Sequence, residues 1–409
     1  MQPPIVLHRA PWLLSMAGPV IADGAVVLQD DTIITVGCFH EVKVQFPEAK
    51  IVDHPGCVLM PGLINAHIHL ELSHLAHLAK DIPGHDFTGW LTTMLAEREK
   101  LGVVGPAVEE AMRATLQDQF ADGVIAVADI GNTSLNLALI GTFPGLLFPF
   151  VEYLGLTRAS LVPALKKLGR QDDQVACTAH APYSTHPELI QALKRRADAF
   201  GFLFPIHVAE PAAESDLLCK GRGELARFLR ERGFYQDVFQ RPGIDFGGSV
   251  QYLHSLGVLN EKTICVHGVH VSAEEIGLLR TNRAKVCLCP GSNRFLQVGK
   301  APVAEYLDQG ILPALGTDSA ASNQELSIWR EMRIIAEDHP EIDPYDILRM
   351  ATVGGAGALG IEGRYGSLTR GRKGHFIAVS GIPEVEKEQE VCEVLVRKGG
   401  RRQIQWVRG

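Results

Sequence analysis

The sequence predicts an α/β fold: a parallel (β/α)8, TIM-like barrel over residues 59–360, with a small β-sandwich built from segments 1–58 and 361–409. Three observations predict it. Eight apolar runs of strand length alternate with helix-like segments through the middle of the chain, and each run reads as buried on both faces. Short β-branched runs punctuated by turn residues occupy both ends. The central span of roughly 300 residues also suits a barrel carrying insertions.

At the N-terminal end, Pro19-Val-Ile, Gly24-Ala-Val-Val-Leu and Thr32-Ile-Ile-Thr-Val-Gly are strand-like, separated by Ala22-Asp-Gly and Asp30-Asp31. The barrel strands fall at 62–70, 123–129, 146–152, 175–180, 202–207, 263–267, 285–289 and 312–317. Helix-like segments at 107–120, 160–168, 188–200, 223–231, 273–279, 301–309 and 324–337 separate them. At the C-terminal end the runs 374–380, 391–397 and 402–407 read as further strands, which would pair with those at the start. The longest irregular stretch, 233–249, holds Gly243, Gly247 and Gly248 and reads as a lid or a substrate wall.

Composition narrows the class of partner. The chain has 409 residues, 46% of them hydrophobic, with 39 basic against 47 acidic side chains and a net charge of −8. No Lys/Arg block is long enough to follow a polyphosphate, which argues against nucleic acid and for a small-molecule partner. No uncharged apolar stretch reaches 18 residues, and the first residues lack the basic-then-apolar layout of a signal peptide, so the expected protein is soluble and cytoplasmic with no membrane association. The 8 cysteines are spread along the whole length. Cys287-Leu-Cys289 is not a CxxC and has no second pair beside it, so buried, reduced thiols are expected.

The strand ends carry the chemistry. The first run ends in His67-Ile-His69, and residues two apart on a strand share a face, their side chains starting about 7 Å apart. The fifth run ends in His207-Val-Ala-Glu210, the sixth in His267, and the eighth in Thr317-Asp318. In a parallel barrel these C-terminal ends open on one mouth, where imidazoles and a carboxylate can converge on one ion. A single such histidine is ordinarily a hydrogen-bonded core residue; their accumulation at the ends of four strands is what points to a site.

Met60-Pro-Gly-Leu-Ile-Asn-Ala-His-Ile-His69 resembles the opening metal motif of the amidohydrolase superfamily. His207-Val-Ala-Glu210, Val266-His-Gly268 and Leu315-Gly-Thr-Asp318-Ser resemble the later motifs of its aminohydrolase and chlorohydrolase branch, and Gly366-Ser-Leu-Thr-Arg-Gly-Arg-Lys-Gly374 is similar to the family's tail signature. One departure occurs there: Gly374-His375 stands where the family usually has Ala-Asp. The resemblance covers essentially the whole chain. It implies a hydrolase acting on C–N bonds of cyclic amidines, with one divalent metal, normally Zn2+ and in some relatives Fe2+, held by His67, His69, His207 and Asp318. The branch lacks a bridging carboxylated lysine, and Thr178-Ala179-His180 at the fourth strand end offers none.

The resemblance also implies roles. Water on such an ion becomes hydroxide near neutral pH, with Asp318 as ligand and base through its second oxygen. The hydroxide attacks the ring carbon bearing the amine. Glu210 protonates the neighbouring ring nitrogen and then the departing ammonia, while His267 steadies the attacking oxygen. His180 matches a substrate-contacting position in nucleoside-type relatives. Glu71, by strand alternation, would share the ligand face higher up the mouth and bond a sugar hydroxyl or an amine, or orient a ligating histidine. His74, His77 and His85 read as rim or solvated residues, and His270 as lying behind the site.

His67-Ile-His-Leu-Glu71-Leu-Ser73, Gly316-Thr-Asp-Ser-Ala-Ala-Ser-Asn323 and Trp329-Arg-Glu-Met-Arg333 look most like deaminases of adenosines substituted at the 5′ carbon. Within these the chain resembles the aminodeoxyfutalosine deaminases of menaquinone biosynthesis, with S-adenosylhomocysteine/5′-methylthioadenosine deaminases as the alternative and a chlorohydrolase-type reaction on another aromatic ring as a further one. The benzoate of the futalosine substrate calls for a cation at the mouth, for which Arg158 and Arg294 are the candidates. Relatives are often homodimers, an expectation for which one sequence supplies no interface.

Overall fold

Between Ile5 and Pro61 the short β-branched runs form strands of one sheet. A computed structural model describes residues 4–81, 86–239, 246–381, 385 and 387–408. Strands β1 (Ile5–Leu13), β2 (Ile21–Gln29), β3 (Thr32–Cys38), β4 (Lys50–Asp53) and β5 (Val58–Pro61) belong to a single sheet. β1 pairs antiparallel with β2, and its other edge divides: Val6–Arg9 pair with β4, Trp12 and Leu13 with β5. Alternation on β2 feeds both faces, Ala25 and Val27 packing with Leu7 and Val42, Val26 and Leu28 with Leu13 and Leu59.

The barrel strands are β6 (Leu63–His69), β7 (Val124–Gly131), β8 (Leu146–Tyr153), β9 (Cys177–Ala179), β10 (Phe204–Val208), β11 (Thr263–His267), β12 (Lys285–Leu288) and β13 (Ala314–Leu315). They run parallel in two ladders, β6 to β9 and β10 to β13. Backbone bonds bridge both seams: His207 N–H donates to the His180 carbonyl and Thr317 N–H to the His67 carbonyl, each at 2.9 Å. A short β14 (Asp318–Ser319) lies parallel to β6, with Asp318 opposite Ile68. The architecture is the mixed α/β barrel expected.

β15 (Phe376–Val379) and β16 (Ile404–Val407) return to the terminal sheet, β15 lying antiparallel between β5 and β16. Gly374 lies against this sheet, where an added Cβ would stand 2.7 Å from Leu28. The alanine that the family usually carries there would require the Leu28 side chain to shift.

Three features differ from expectation. Residues 391–397, read as a strand, lie in a helix, Glu388–Lys398. Val391, Cys392, Leu395 and Val396 are buried, a spacing that gathers on one side of a helix and lays it on the helices Ile328–Asp338 and Pro344–Arg349. The β-branched composition suited a strand, but this packing surface decided otherwise. β1, which precedes the expected strands, is the hub of the terminal sheet. β9 and β13 are shorter than their apolar runs, because the chain leaves the ladders to present His180 and Asp318.

Candidate active site

His67 and His69 reach the mouth from the end of β6. The pairing of β6 with β7 slips there: Asn65 stands opposite Val127 but Ile68 opposite Asp129, one extra residue on β6. Such an insertion turns the side chains of a strand end. His207 projects from β10 and Asp318 from β14. The three imidazole Nε2 atoms converge, His69 to His207 at 3.2 Å and His207 to His67 at 3.1 Å, and Asp318 Oδ1 lies 3.5 Å from the Nε2 atoms of both His67 and His69. All four residues are buried.

The donor set fits a cation. His207 Nδ1 is tied to the His180 carbonyl at 2.8 Å and the His69 ring to the Ile130 carbonyl. Each thereby keeps its proton on Nδ1 and turns a bare Nε2 lone pair inward. Lone pairs facing one another at 3.1–3.2 Å repel unless a positive ion lies among them. Nitrogens about 2.0–2.1 Å from a tetrahedral ion would stand roughly 3.3–3.4 Å apart, close to the spacing found. Burial, then the charge of His67, pushes the His69 pKa down to about 3 and His207 well below its ordinary value. Neutral imidazole is the ligating form. Burial opposes charge on Asp318, yet its bond with His67 and the surrounding imidazoles hold it well below the usual carboxylate range. The group is a His/His/His/Asp site for a divalent metal.

Beside it stands a second group, Glu210, His267 and Asp318. Glu210 Oε1 lies 3.5 Å from His267 Nε2. Burial, then the negative charges of Asp318 and Glu214, raises the Glu210 pKa well above its ordinary value, which favours the protonated carboxyl. Burial lowers His267 to about 4, and its Nδ1 is 2.9 Å from Asn293 Oδ1, which leaves Nε2 as an acceptor. The backbones of Ala209 (φ 54), His267 (φ 73) and Asp318 (φ 57) sit in the left-handed region, strain concentrated where these side chains must be aimed.

These groups open onto a cavity of about 700 Å³. One wall is the helix Phe87–Leu101, which presents Phe87, Trp90, Leu91, Met94, Leu95 and Arg98 at helical spacing. His180 lines the cavity as expected, its Nδ1 2.6 Å from Ser184 Oγ. Phe228, Leu229, Gly233 and Phe234 lie on the far side, where the expected lid begins; residues 240–245 of that stretch lie outside the described ones.

Several expected contacts are corrected. Glu71 is not on the strand: β6 ends at His69, and Glu71 opens the 3-10 turn Leu70–Leu75. Its Oε1 accepts from Arg98 at 2.5 Å and its Oε2 from Thr133 N and Oγ1 at 3.1 and 2.8 Å, so both oxygens are engaged within the protein, and Glu71 does not line the cavity. Arg158 is on the outer surface, paired with Glu188 at 2.8 Å. Arg294 pairs with Glu337 and Asp338 at 2.7 and 3.0 Å. Neither lines the cavity; Arg98 does. Asp318 Oδ2, the oxygen expected to take a proton from water, accepts the hydroxyls of Ser292 and Ser322 at 2.6 and 2.8 Å, so Oδ1 is the oxygen presented to the imidazoles. His77 pairs with Glu97, His270 bonds the Val298 carbonyl, and His85 lies outside the described residues.

Sequence reasoning passed over four residues at the mouth. Asp129 and Glu152 end the second and third strand runs, the same signal that singled out His207 and His267. Asp129 Oδ1 accepts from Leu70 N at 2.7 Å, fixing the turn that follows His69. Burial raises Asp129 to about 7 and Glu152 to about 8. Ser292 and Asn293 are adjacent, and one braces Asp318 while the other braces His267. Only the fold reveals that.

The amidohydrolase family profile matches residues 58–401. Among curated proteins, the chain is similar to the 5-methylthioadenosine/S-adenosylhomocysteine deaminase of Nitratidesulfovibrio vulgaris, 32% identical over 365 residues, 83% of this chain and 76% of the relative. It is also similar to the deaminase of the same name from Desulfitobacterium hafniense, 29% identical over 399 residues, 92% of this chain and 84% of the relative. Among solved structures it resembles Helicobacter pylori aminofutalosine deaminase, with a TM-score of 0.79 and 20% identity over 98% of this chain and 97% of that one. An adenosine deaminase from Xanthomonas campestris with bound zinc gives a TM-score of 0.77 and 24% identity, covering 98% of this chain and 91% of that one. At these identities the structural likenesses establish the fold.

Proposed function

The chain belongs to the amidohydrolase family as a hydrolase acting on C–N bonds, and on that premise we propose that it deaminates a 5′-substituted adenosine, with aminodeoxyfutalosine of the menaquinone route as the substrate and the cytoplasm as its place of action. The carrying observation is the meeting of two buried groups at the floor of one cavity: the His67, His69, His207 and Asp318 cluster, and the Glu210 and His267 pair that shares Asp318 with it. Zn2+ is the proposed ion. Bound there, it supplies a Lewis acid that lowers the pKa of a coordinated water to roughly 7.

The remaining work falls to the side chains. Protonated Glu210 gives its proton to the ring nitrogen beside the amine-bearing carbon. That makes the carbon electrophilic, so water attacks it while Asp318 takes a proton from the water. His267, with Nε2 unprotonated, accepts a hydrogen bond from the attacking oxygen. Glu210, deprotonated by the first transfer, takes up the remaining proton of the attacking oxygen and delivers it to the amine as the C–N bond breaks; the proton held by Asp318 then restores Glu210, and one water has been exchanged for one ammonia. His180 on the opposite wall contacts the purine. The serine hydroxyls on Asp318 Oδ2 keep that carboxylate from turning while its other oxygen works.

The apolar wall of Phe87, Trp90, Leu91, Met94 and Leu95 supports an uncharged or aromatic 5′ substituent over a zwitterionic one, since Arg98, the cation on this wall, is already paired with Glu71. A second reading, 5′-methylthioadenosine, is favoured by the printed names of the curated relatives. The test is ammonia release from aminodeoxyfutalosine, 5′-methylthioadenosine, S-adenosylhomocysteine and adenosine. A kcat/KM highest for aminodeoxyfutalosine is expected; preference for either thioether would replace the substrate, and release of halide from a chlorinated ring without ammonia would replace the reaction.

A further inference from the structure

A buried carboxyl of the cavity wall is left unused by this chemistry. Glu152, at the end of β8, is 4% exposed and lines the cavity. Its Oε2 accepts from Asn132 Nδ2 at 2.6 Å, but its Oε1 has no hydrogen-bond partner among the described residues. His207 Nδ1 lies 3.8 Å from Oε1, and it already donates to the His180 carbonyl. Leaving a buried carboxylate oxygen unpaired is costly. Here the cost is imposed by a rigid chain of bonds: Thr133 holds Glu71, Glu71 holds Arg98, Arg98 NH1 reaches Asn132 Oδ1 at 3.0 Å, and Asn132 holds Glu152. At the centre of this chain, Arg98 Nε likewise has no partner among the described residues.

Placement says what this oxygen is for. Glu210 and His267 meet the metal cluster at Asp318, and Glu152 and His180 meet it at a different ligand, His207. The reacting edge of the heterocycle must lie at Glu210 and His267, so the rest of a nucleoside reaches Glu152 and His180. An unpaired carboxyl oxygen there requires a hydrogen-bond partner, and the unpaired guanidinium N–H further along the same chain requires an acceptor. A sugar hydroxyl offers both. Building on the nucleoside deaminase reading, we propose that Glu152 is a specificity-determining residue that hydrogen-bonds a ribose hydroxyl through Oε1, a role expected of Glu71 from its spacing.

The experiment pairs substrate and side chain. Wild type, Glu152→Leu and Glu152→Gln are assayed as metal-loaded enzyme on 5′-methylthioadenosine and on its 2′-deoxy and 3′-deoxy analogues, and metal content is measured alongside. Leaving the buried Oε1 unsatisfied is expected to cost wild type about 10–100-fold in kcat/KM for at least one deoxy analogue. The same comparison in Glu152→Leu should fall within about threefold of unity, with Glu152→Gln between, because its amide oxygen retains an acceptor. Internal ratios cancel any general loss of folded enzyme. An undiminished ribose preference in Glu152→Leu overturns the proposal, as does loss of bound metal with the preference kept, which would make Glu152 a brace for His207. Equilibrium binding of the same compounds separates this from the reaction: if wild type releases no ammonia from any nucleoside, the deaminase reading falls, while a ribose preference in binding that vanishes in Glu152→Leu still supports Glu152.

Discussion

Replacing one hydrogen at Gly316 should disturb the metal cluster without touching a ligand. Gly316 precedes Thr317-Asp318 at the seam between β13 and β6. A Cβ built there would stand 2.7 Å from His67 Cβ, 2.9 Å from the His67 carbonyl oxygen and 2.9 Å from Cys287 Sγ. Carbon atoms rest at about 3.5–4.0 Å, so in Gly316→Ala the two strands must part by roughly 1 Å. The seam bond from Thr317 N–H to the His67 carbonyl, 2.9 Å long, would then be stretched beyond hydrogen-bond range. Its loss costs about 1 kcal/mol and the overpacking about 1–3 kcal/mol, so about 2–4 kcal/mol in all. For a chain of this length that is a fall in Tm of about 2–5 °C. His67 moves with its backbone, and an imidazole displaced by a sizeable part of an ångström from a bond of about 2 Å should weaken metal affinity on the order of 10–100-fold. Thermal denaturation and metal analysis after dialysis against a graded chelator read the two effects. A Gly316→Ala protein with unchanged Tm and full metal occupancy would refute the reasoning.

Glu210→Gln removes the acid and is isosteric, so kcat should drop about 10²–10⁴-fold with metal content intact; equal loss of metal would place Glu210 among the ligands. Arg158→Ala and Arg294→Ala, both on outward ion pairs, should leave kcat/KM within about twofold, and a larger fall for either would return it to the substrate site. In the terminal sheet, His8 Nδ1 meets His54 Nε2 at 3.0 Å, and burial, then the charge of His54, lowers His8 from 6.5 to about 4. Because the folded value lies below the unfolded one, this stability is fully present above pH 6.5 and is lost as the pH falls toward 4. At pH 5 about 2 kcal/mol is gone. Wild type should therefore lose more Tm between pH 7.5 and 5.0 than His8→Gln does, and equal losses would show that His8 does not couple folding to pH.

Glu71, Arg98 and Glu152 show where legibility ended. Glu71 was assigned by alternation along β6, but a strand's period holds only while the strand lasts, and the turn that begins at Leu70 put its carboxylate behind Arg98. Arg98 continues the stripe of Phe87, Trp90, Leu91, Met94 and Leu95, a visible helical pattern whose partner was not visible, since a stripe looks the same facing a core or a cavity. Glu152 ended a strand run as plainly as His267 does. It drew no notice because an isolated acid at a strand end is ordinarily a cap or an ion pair. The surface arginines failed for the converse reason: a loop following a barrel strand can carry a side chain inward or out, and Glu188, Glu337 and Asp338 drew these outward.

The alternation of strand and helix, the barrel this implies and the residue types at its strand ends follow from amino-acid order alone, because burial on both faces of a parallel strand and the donor chemistry of imidazole and carboxylate are written in single residues and short spacings. Tertiary structure decided which of those ends share a wall. The slip in β6, the left-handed backbone at His267 and Asp318, the serines that claim one oxygen of Asp318, and the bond chain from Thr133 to Glu152 all join residues far apart in the chain. Their partners are chosen by packing and by the need to satisfy buried polar groups, which local pattern does not encode.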